Sequence, residues 1–552
     1  MIEHQSNINI ALTPLTRSQT FQYGTWDIEA NNWWDLVCIG VWDGKQYYHF
    51  TDIGLFIEHI LRREYRHWRW FAHFGGRYDL NFIFDWLRNR NDLGVSFYCS
   101  GSMVLQMTIR RGDRVAKFCD SYRLLQGSLR DLGMAFDVKH KKTEIDFSNI
   151  VYNKQLLEYN EQDCRCLYEV LESFFEQTGV MSETFATQAL RVFRKDFLKE
   201  KIWKPHQNVL DFCRESYHGG HVEVFKRHCL SLNAYDVNSM YPFVMKQAIP
   251  VQYIGESRKR IGSKYGFVRA VVKIPEMYTP PLPYRLNKLY FPMGQLEGVW
   301  STEELDVAES MGVKIISILK GVYFECREIF SEYVDNLYAL KKRSGEPTRT
   351  IAKLLLNSLY GKFGQQPVKR IYVTEKDGPN GCYPILRPDG VPSGFAYYER
   401  SSNSAYLLPH LASAVTSKAR LVLLERLDTT SYYCDTDSVF TTSDIKVGND
   451  LGDWTLVGTG ECTFVQPKLY KFNGTWKAKG LNKDQDIDAF VNGSINNVIR
   501  RKSIKEALND GESACMDVHV DKMLRETQPK RKWIGDDTRP WDINEILKGK
   551  TK

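Results

Sequence analysis

Residues 433–438 read Tyr433-Cys434-Asp435-Thr436-Asp437-Ser438, set between apolar, β-rich neighbours in SYYCDTDSVFTT. Two acids two positions apart at a strand end or hairpin tip share one face. Acids crowded beside buried strands repel one another unless a cation neutralises them. A third acid fits the same pattern. Asp236 ends a strand in Asp236-Val237-Asn238-Ser239-Met240-Tyr241-Pro242, and a helix starts at Tyr241-Pro242. Hard carboxylate oxygens suit Mg²⁺, which keeps its waters and takes up substrate phosphates. Between these two stretches lies RTIAKLLLNSLYG, where Arg349, Lys353, Asn357 and Tyr360 recur at helical spacing. Leu354, Leu355 and Leu359 give that helix a separate apolar side. A face of two cations, an amide and a phenol is a poor core face and a good triphosphate-binding face. Further on, Lys468-Leu469-Tyr470 places a cation and a ring on one strand face, suited to a nucleic-acid backbone.

A second group of acids stands near the N-terminus. Asp27 and Glu29 share one face of the strand WDIEA, and Asp79 opens a helix after the glycine turn of HFGGRYD. Tyr159 and Asp163 lie four apart in a helical stretch and share its face. Each acid alone reads as a cap or a surface charge. Four converging carboxylates would hold two divalent cations about 3.5–4 Å apart, able to activate a water and stabilise a leaving phosphodiester oxygen. Tyr159 would orient that water.

Composition frames these sites. The 552 residues carry 74 Lys+Arg against 67 Asp+Glu, a net +7, with 43% hydrophobic and 26% charged residues. These values exclude bulk disorder. The length predicts about two to four domains. The mild basic excess fits a polyanionic partner only where positive charge is gathered in grooves. No run approaches the roughly 18 apolar residues of a membrane span. The start, MIEHQSNINIALTPLTRSQT, lacks the basic and apolar regions of a secretion leader. The 12 cysteines are scattered without a Cys-x-x-Cys pair and read as reduced thiols in a cytosol-like compartment. His218-Gly219-Gly220-His221 has no second ligand pair nearby and reads as a turn with two incidental imidazoles.

Alternating strands and helices predict an α/β domain ending near residue 175, followed by a helical segment over 181–200. IGLFIEHILRREYRHW reads as one amphipathic helix. Residues 276–300 read as a loop-rich module, 328–363 as helical, 367–400 as loop and hairpin, and 404–427 as a helix. Basic clusters stand at Arg500-Arg501-Lys502 and Lys530-Arg531-Lys532.

In this order, over roughly residues 21 to 535, the motifs resemble those of the family B DNA polymerases, nearest to the protein-primed branch of small phages and linear plasmids. DVNSMYP, KLLLNSLYG and YCDTDS look like polymerase motifs A, B and C, KLY like the K-x-Y motif, and SYHGG like the Y-x-G-G motif that couples the two activities. DIE, the RYD turn and YNEQD resemble the three exonuclease motifs, Ser128-Leu129 and Lys142-Thr143-Glu144-Ile145 the minor ones, and TSKAR a primer–template motif.

The resemblance implies a multidomain α/β and α+β protein. An RNase H-like 3′–5′ exonuclease domain would precede a right-hand polymerase domain of palm, fingers and thumb with two insertions. The expected divisions are exonuclease 1–180, linker and first palm segment 181–262, first insertion 263–335, fingers 336–366, second insertion 367–405, second palm segment 406–490 and thumb 491–552. It assigns Asp236 and Asp437, with the Val237 backbone, to the polymerase metals and places Asp435 beside them. Asp27, Glu29, Asp79 and Asp163 would hold the exonuclease metals. Two Mg²⁺ per active site are implied, with Mn²⁺ as a substitute.

Tyr241 would exclude a 2′-OH, Lys341, Arg349 and Lys353 would meet the triphosphate, and Asn357 and Tyr360 would line the nucleotide pocket. DNA would contact Tyr217, Gly219, Gly220, Thr416, Arg420, Lys468 and Tyr470, and at the exonuclease Ser128, Leu129 and Lys142. One departure stands out. Phe74 replaces the Asn that usually follows the His of the second exonuclease motif, so a stacking aromatic would substitute in single-strand binding.

The long stretches from Pro242 to Lys353 and from Gly364 to Thr416 resemble the two insertions of that branch. There, the first contacts a terminal protein and the second encircles the template for processive, strand-displacing synthesis. Nothing before residue 21 is large enough for a fused priming protein, so a separate one is expected. Template and primer DNA, dNTPs and a single-stranded-DNA-binding protein complete the expected partners of a monomer in a bacterial host's cytoplasm. Two other readings stand beside this one: primer-independent synthesis by the same core in a mobile element, and a nuclease-only or non-catalytic DNA-binding protein, against which the intact Asp236 and Asp437 argue.

Overall fold

In a computed structural model of the chain, the structure describes residues 10–17, 20–32, 34–88, 90–146, 150–481, 486–494, 496–524 and 529–548. Residues 1–9, where the leader reading begins, lie outside the described residues.

Two large sheets carry the two groups of acids. The N-terminal group sits on a ten-stranded sheet whose middle strands, Tyr23–Asn31, Arg69–Ala72 and Arg114–Asp120, pair in parallel. The helix Lys154–Thr178 covers it. This helix approaches closely because Gly40 lies beneath it: a Cβ there would stand 1.6 Å from Asn160 Oδ1. The sheet extends beyond the N-terminal third of the chain. The hairpin Val368–Thr374 and Pro392–Ser401 joins its edge through Tyr372↔Phe97 and Val373↔Ser96. A stretch expected as loop and hairpin is thus continued sheet, and Tyr372 stacks on Phe97 at 5.1 Å.

The second sheet has seven strands, in the order Val222–Val224, Ser431–Asp435, Ser438–Thr441, His228–Val237, Trp454–Gln466, Leu469–Phe472 and Thr475–Ala478. It brings Asp236 beside residues 435–438 through antiparallel pairing. Helices Met240–Met245, Thr348–Phe363 and Pro409–Leu424 pack together against it. Between the two halves of this sheet's sequence lies a compact four-stranded sheet: Ile249–Ser257, Lys314–Arg327, Tyr265–Ile274 and Gly294–Ser301.

Several sequence expectations shift in register. The loop-rich module at 276–300 ends in an ordered strand, Gly294–Ser301, because Val299 and Trp300 are buried. The first amphipathic helix stops at Ile60, and the rest of that stretch turns through a short 3₁₀ segment. The helical run 328–363 is two helices, Ser331–Arg343 and Thr348–Phe363, parted by Pro347. The helix expected over 404–427 runs Pro409–Leu424, with Pro409 in its first turn, where a missing N–H costs nothing. Among the described residues no disulfide forms, and no helix is long and apolar enough to cross a membrane.

Candidate polymerase and exonuclease sites

The central strand His228–Val237 carries Asp236 near its C-terminal end, where it pairs with Ser438. The Val237 amide donates to the Asp437 carbonyl at 2.8 Å, so Val237, Asp236 and Asp437 are locked together. Burial, then the charge of Asp437, pushes the Asp236 carboxyl up to about 6. Asp437 is also raised, chiefly by burial. Two half-buried carboxylates that resist joint ionisation form an oxygen-rich donor set for a hard divalent cation.

Strand alternation does not govern Asp435 and Asp437, contrary to the sequence reading. Thr436 sits in a left-handed conformation (φ 66°), and the chain turns between them. Asp435 has partners of its own, Lys468 Nζ donating to both of its oxygens at 2.7 and 2.8 Å and Tyr433 OH donating at 3.1 Å, while its charge still helps to raise Asp437. Lys468 itself lies in a turn (φ 66°) just before the strand that carries Tyr470, so the two do not share a strand face. Tyr470 packs on Tyr433 at 5.4 Å.

Above the acids, Tyr241 and Tyr360 stack at 4.4 Å and 21°. Tyr217 stands beside them, and burial with the neighbouring Tyr241 raises its phenol. Arg349, Lys353 and Asn357 are exposed along the helix Thr348–Phe363, while Leu355 and Leu359 are buried, as the sequence pattern required. Leu354 is half-buried. Lys341 arrives from the preceding helix and donates to Ser239 Oγ at 3.0 Å. Burial, then Lys353 and Arg349 nearby, push its ammonium below the usual value, which marks one convergent cation cluster.

The Y-x-G-G turn packs directly on the turn between the acids. The Thr436 amide donates to the His221 carbonyl at 2.8 Å, and a Cβ on Gly220 would stand 2.7 Å from Thr436 Oγ1. His221 is buried, stacked on Phe291 at 3.5 Å and bonded to Glu223 at 3.0 Å. Thr416 and Arg420, assigned to DNA by resemblance, are buried at 4% and 3% exposure. Arg420 binds Glu304 at 2.6 and 3.0 Å and the carbonyls of His218 and Gly219 at 2.9 and 3.1 Å. Thr416 donates to the Ser413 carbonyl. Arg420 therefore braces the turn from within, while Thr416 bonds inside its own helix. Sequence reasoning missed Glu304. Its one signal was SxxE at 301–304, a capping box that the structure contains.

The N-terminal acids also meet. Oxygens of Asp27, Glu29 and Asp163 all lie within 4.8 Å of one another. Asp79, 1% exposed, accepts the Ile28 amide at 3.1 Å and so sits one residue from Asp27. Burial raises Asp27, and the charges of Glu29 and Asp163 raise it further. Burial is also the main cause that brings Glu29 to about 7. Lys142 forms an ion pair with Asp163 and donates to Tyr159 OH at 2.7 Å, so it contacts the acids themselves. Asn160 donates to Glu29 at 3.2 Å and was missed by the sequence reading, although it adjoins Tyr159 in YNEQD.

Phe74 adopts φ 61°, a region that Asn enters far more readily than Phe. Its half-exposed ring stacks on Tyr122 at 4.0 Å and 27°. The adjacent His73 reaches the Gly127 carbonyl at 2.9 Å, which holds Ser128 and Leu129 next to this turn. Ser128 caps the helix Leu129–Ala135.

The family model of DNA polymerase type B, organellar and viral, matches residues 60–154 and 151–382, together more than half of the chain. The chain belongs to this family. A probable DNA polymerase of Ascobolus immersus is 25% identical over 554 residues, covering 83% of this chain and 44% of the relative. One from Podospora anserina is 27% identical over 577 residues, covering 78% and 48%. The chain spans about half the length of these curated relatives. The DNA-directed DNA polymerase of Enterobacteria phage PRD1 is 25% identical over 425 residues, covering 72% of each. In fold, the Phi29 DNA polymerase complexed with primer-template DNA and incoming nucleotides superposes with a TM-score of 0.72 at 18% identity, covering 92% of this chain and 100% of that one. The multidomain architecture expected from the motifs, an exonuclease-like domain joined to a right-hand polymerase body, is the architecture found.

Proposed function

We propose that the protein is a DNA-directed DNA polymerase with a 3′–5′ exonuclease, working on primer, template and dNTPs and starting from a separate terminal protein. The single observation that carries this reading is the meeting of Asp236 and Asp437 beneath a cation cluster and a tyrosine pair. The oxygen donors present fit Mg²⁺, or Mn²⁺ in its place, held by Asp236 and Asp437 with the Val237 backbone. Bound there, the metals would lower the pKa of the attacking 3′-hydroxyl and neutralise charge on the phosphates.

The chain's own groups do the rest by positioning. Lys341, Arg349 and Lys353 neutralise the triphosphate, and Tyr360 and Asn357 border the base pair being formed. Tyr241, stacked on Tyr360, closes the space that a 2′-OH would need. Lys468 keeps Asp435 from competing for cations and holds the primer end with Tyr470, while Tyr217 and the Gly219-Gly220 turn guide the template. At the other centre Asp27, Glu29, Asp79 and Asp163 hold the metals, Lys142 offsets their charge, and Tyr159 orients the attacking water. Phe74 and Tyr122, beside Ser128 and Leu129, supply stacking for the frayed strand. The first insertion, 263–335, receives the terminal protein, and the second, 367–405, encircles the template for strand-displacing synthesis in a cytoplasmic setting. The divisions at 180, 262, 335, 366, 405 and 490 describe these working parts.

Primer extension on a primed circle, with and without candidate terminal proteins, tests the reading; covalent dNMP on the protein supports priming, and product without any primer favours primer-independent synthesis. Two variants sharpen it. Arg349→Ala and Lys353→Ala should each raise the KM for dNTP about tenfold, the loss of one charge-assisted phosphate contact, with a smaller change in kcat. Lys468→Ala should cut extension about tenfold, and Lys468→Arg should restore much of it, since the partly exposed Asp435 needs a cation but tolerates its exact shape.

A further inference from the structure

The basic cluster Arg500-Arg501-Lys502 has no part in the sites above, yet the fold places it against the exonuclease centre. The hairpin of strands Asn496–Arg501 and Asp517–Lys522, with the helix Ile504–Asp510 between them, docks on the helix Asp79–Leu87. Ile504, Ala507, Leu508 and Ala514 are buried in the same core as Trp70, Leu80 and Phe84 of the N-terminal domain. Asn81, 3% exposed, donates to the carbonyls of Lys502 and Ala514 at 3.1 and 3.0 Å. Asp85 accepts the amides of Ala514 and Cys515 at 2.9 and 3.0 Å. At the upper end of this seam the Arg501 guanidinium lies 3.9 Å over the Tyr78 ring. Tyr78 is the residue from which the helix carrying Asp79 starts.

These contacts share one geometry. Asn81 and Asp85 fix the flank of the helix, and Arg501 fixes its first turn, where Asp79 is set beside the Ile28 amide. We propose that Arg501 is a positioning residue of the exonuclease: by stacking on Tyr78 it seats the helix start that presents Asp79, so strand cleavage depends on the C-terminal hairpin and nucleotide addition does not. This rests on the exonuclease reading above. A cation over a partly desolvated ring is strong enough to hold such a turn, and a carboxylate misplaced by a fraction of an ångström is enough to slow a positioned reaction.

The test uses the full chain with Mg²⁺, a 5′-labelled single-stranded oligonucleotide without dNTPs, and in parallel a primed template with dNTPs. Arg501→Ala should lower the degradation kcat about tenfold, with the KM for the oligonucleotide and the rate of extension little changed. Arg501→Lys should recover part of the loss. Tyr78→Leu should lose at least as much as Arg501→Ala, since it also removes the edge contact with Phe82, and the double variant should be no slower than the slower single one, because both remove the Arg501–Tyr78 stack. Degradation by Arg501→Ala equal to that of the unaltered chain overturns the inference alone. Penalties that multiply in the double variant, or degradation and extension falling together with thermal stability, also overturn it. If the unaltered chain degrades nothing, the exonuclease reading and this inference fall together.

Discussion

Asp236→Asn and Asp437→Asn should each lower primer extension by at least about three orders of magnitude, the cost of removing charge that is used mainly in the transition state. Retention of primed DNA should be little affected, since neither acid attracts a phosphate backbone. Burial, then the charge of Asp437 beside it, brings Asp236 to about 6, and burial also raises Asp437. A divalent cation held between the two uses both charges, so removing either disables the same function. The double variant should accordingly be hardly slower than either single one. Steady-state extension on a labelled primer measures this, with filter binding of the same primer–template as the control. Asp435→Asn should be milder, because Asp435 already has a cation in Lys468.

The second large effect separates the two centres. Asp27→Ala combined with Glu29→Ala should reduce 3′–5′ degradation of single-stranded DNA by about three orders of magnitude or more while extension stays close to that of the unaltered chain. The physical basis is that the two groups of acids stand on different sheets: Asp27 and Glu29 pair with the strand Asp35–Trp42, and Asp236 pairs with Ser438–Thr441. Degradation of a labelled oligonucleotide and extension of a matched primer, run on one preparation, decide it. Residual degradation in that preparation would place the nuclease elsewhere.

Much of this was legible in the sequence because strand and helix periods place residues on faces. Period two put Asp27 and Glu29 together, and the helical repeat put Arg349, Lys353 and Asn357 on an open side and Leu355 and Leu359 inside. The same rule failed at Asp435 and Asp437, where the left-handed Thr436 breaks alternation. Periodicity is likewise silent on tertiary partners. TSKAR read as a DNA-binding motif, yet Arg420 is enclosed by Glu304 and the His218 and Gly219 carbonyls, groups far away in the chain. Lys142 read as a strand contact, and its ion pair with Asp163 was not legible locally. The extension of the N-terminal sheet by residues 368–401, and the docking of 504–514 into the core beneath it, depend on pairings between distant segments. A local pattern carries no mark of them.

The account depends on Asp236 and Asp437 holding cations jointly. Mn²⁺ binding followed by electron paramagnetic resonance, in an Asp27→Ala, Glu29→Ala background with a dideoxy-terminated primer–template and dNTP present, tests that directly. Tight Mn²⁺ uptake that vanishes with Asp236→Asn and equally with Asp437→Asn is the outcome expected; uptake surviving intact in either variant would contradict a shared site.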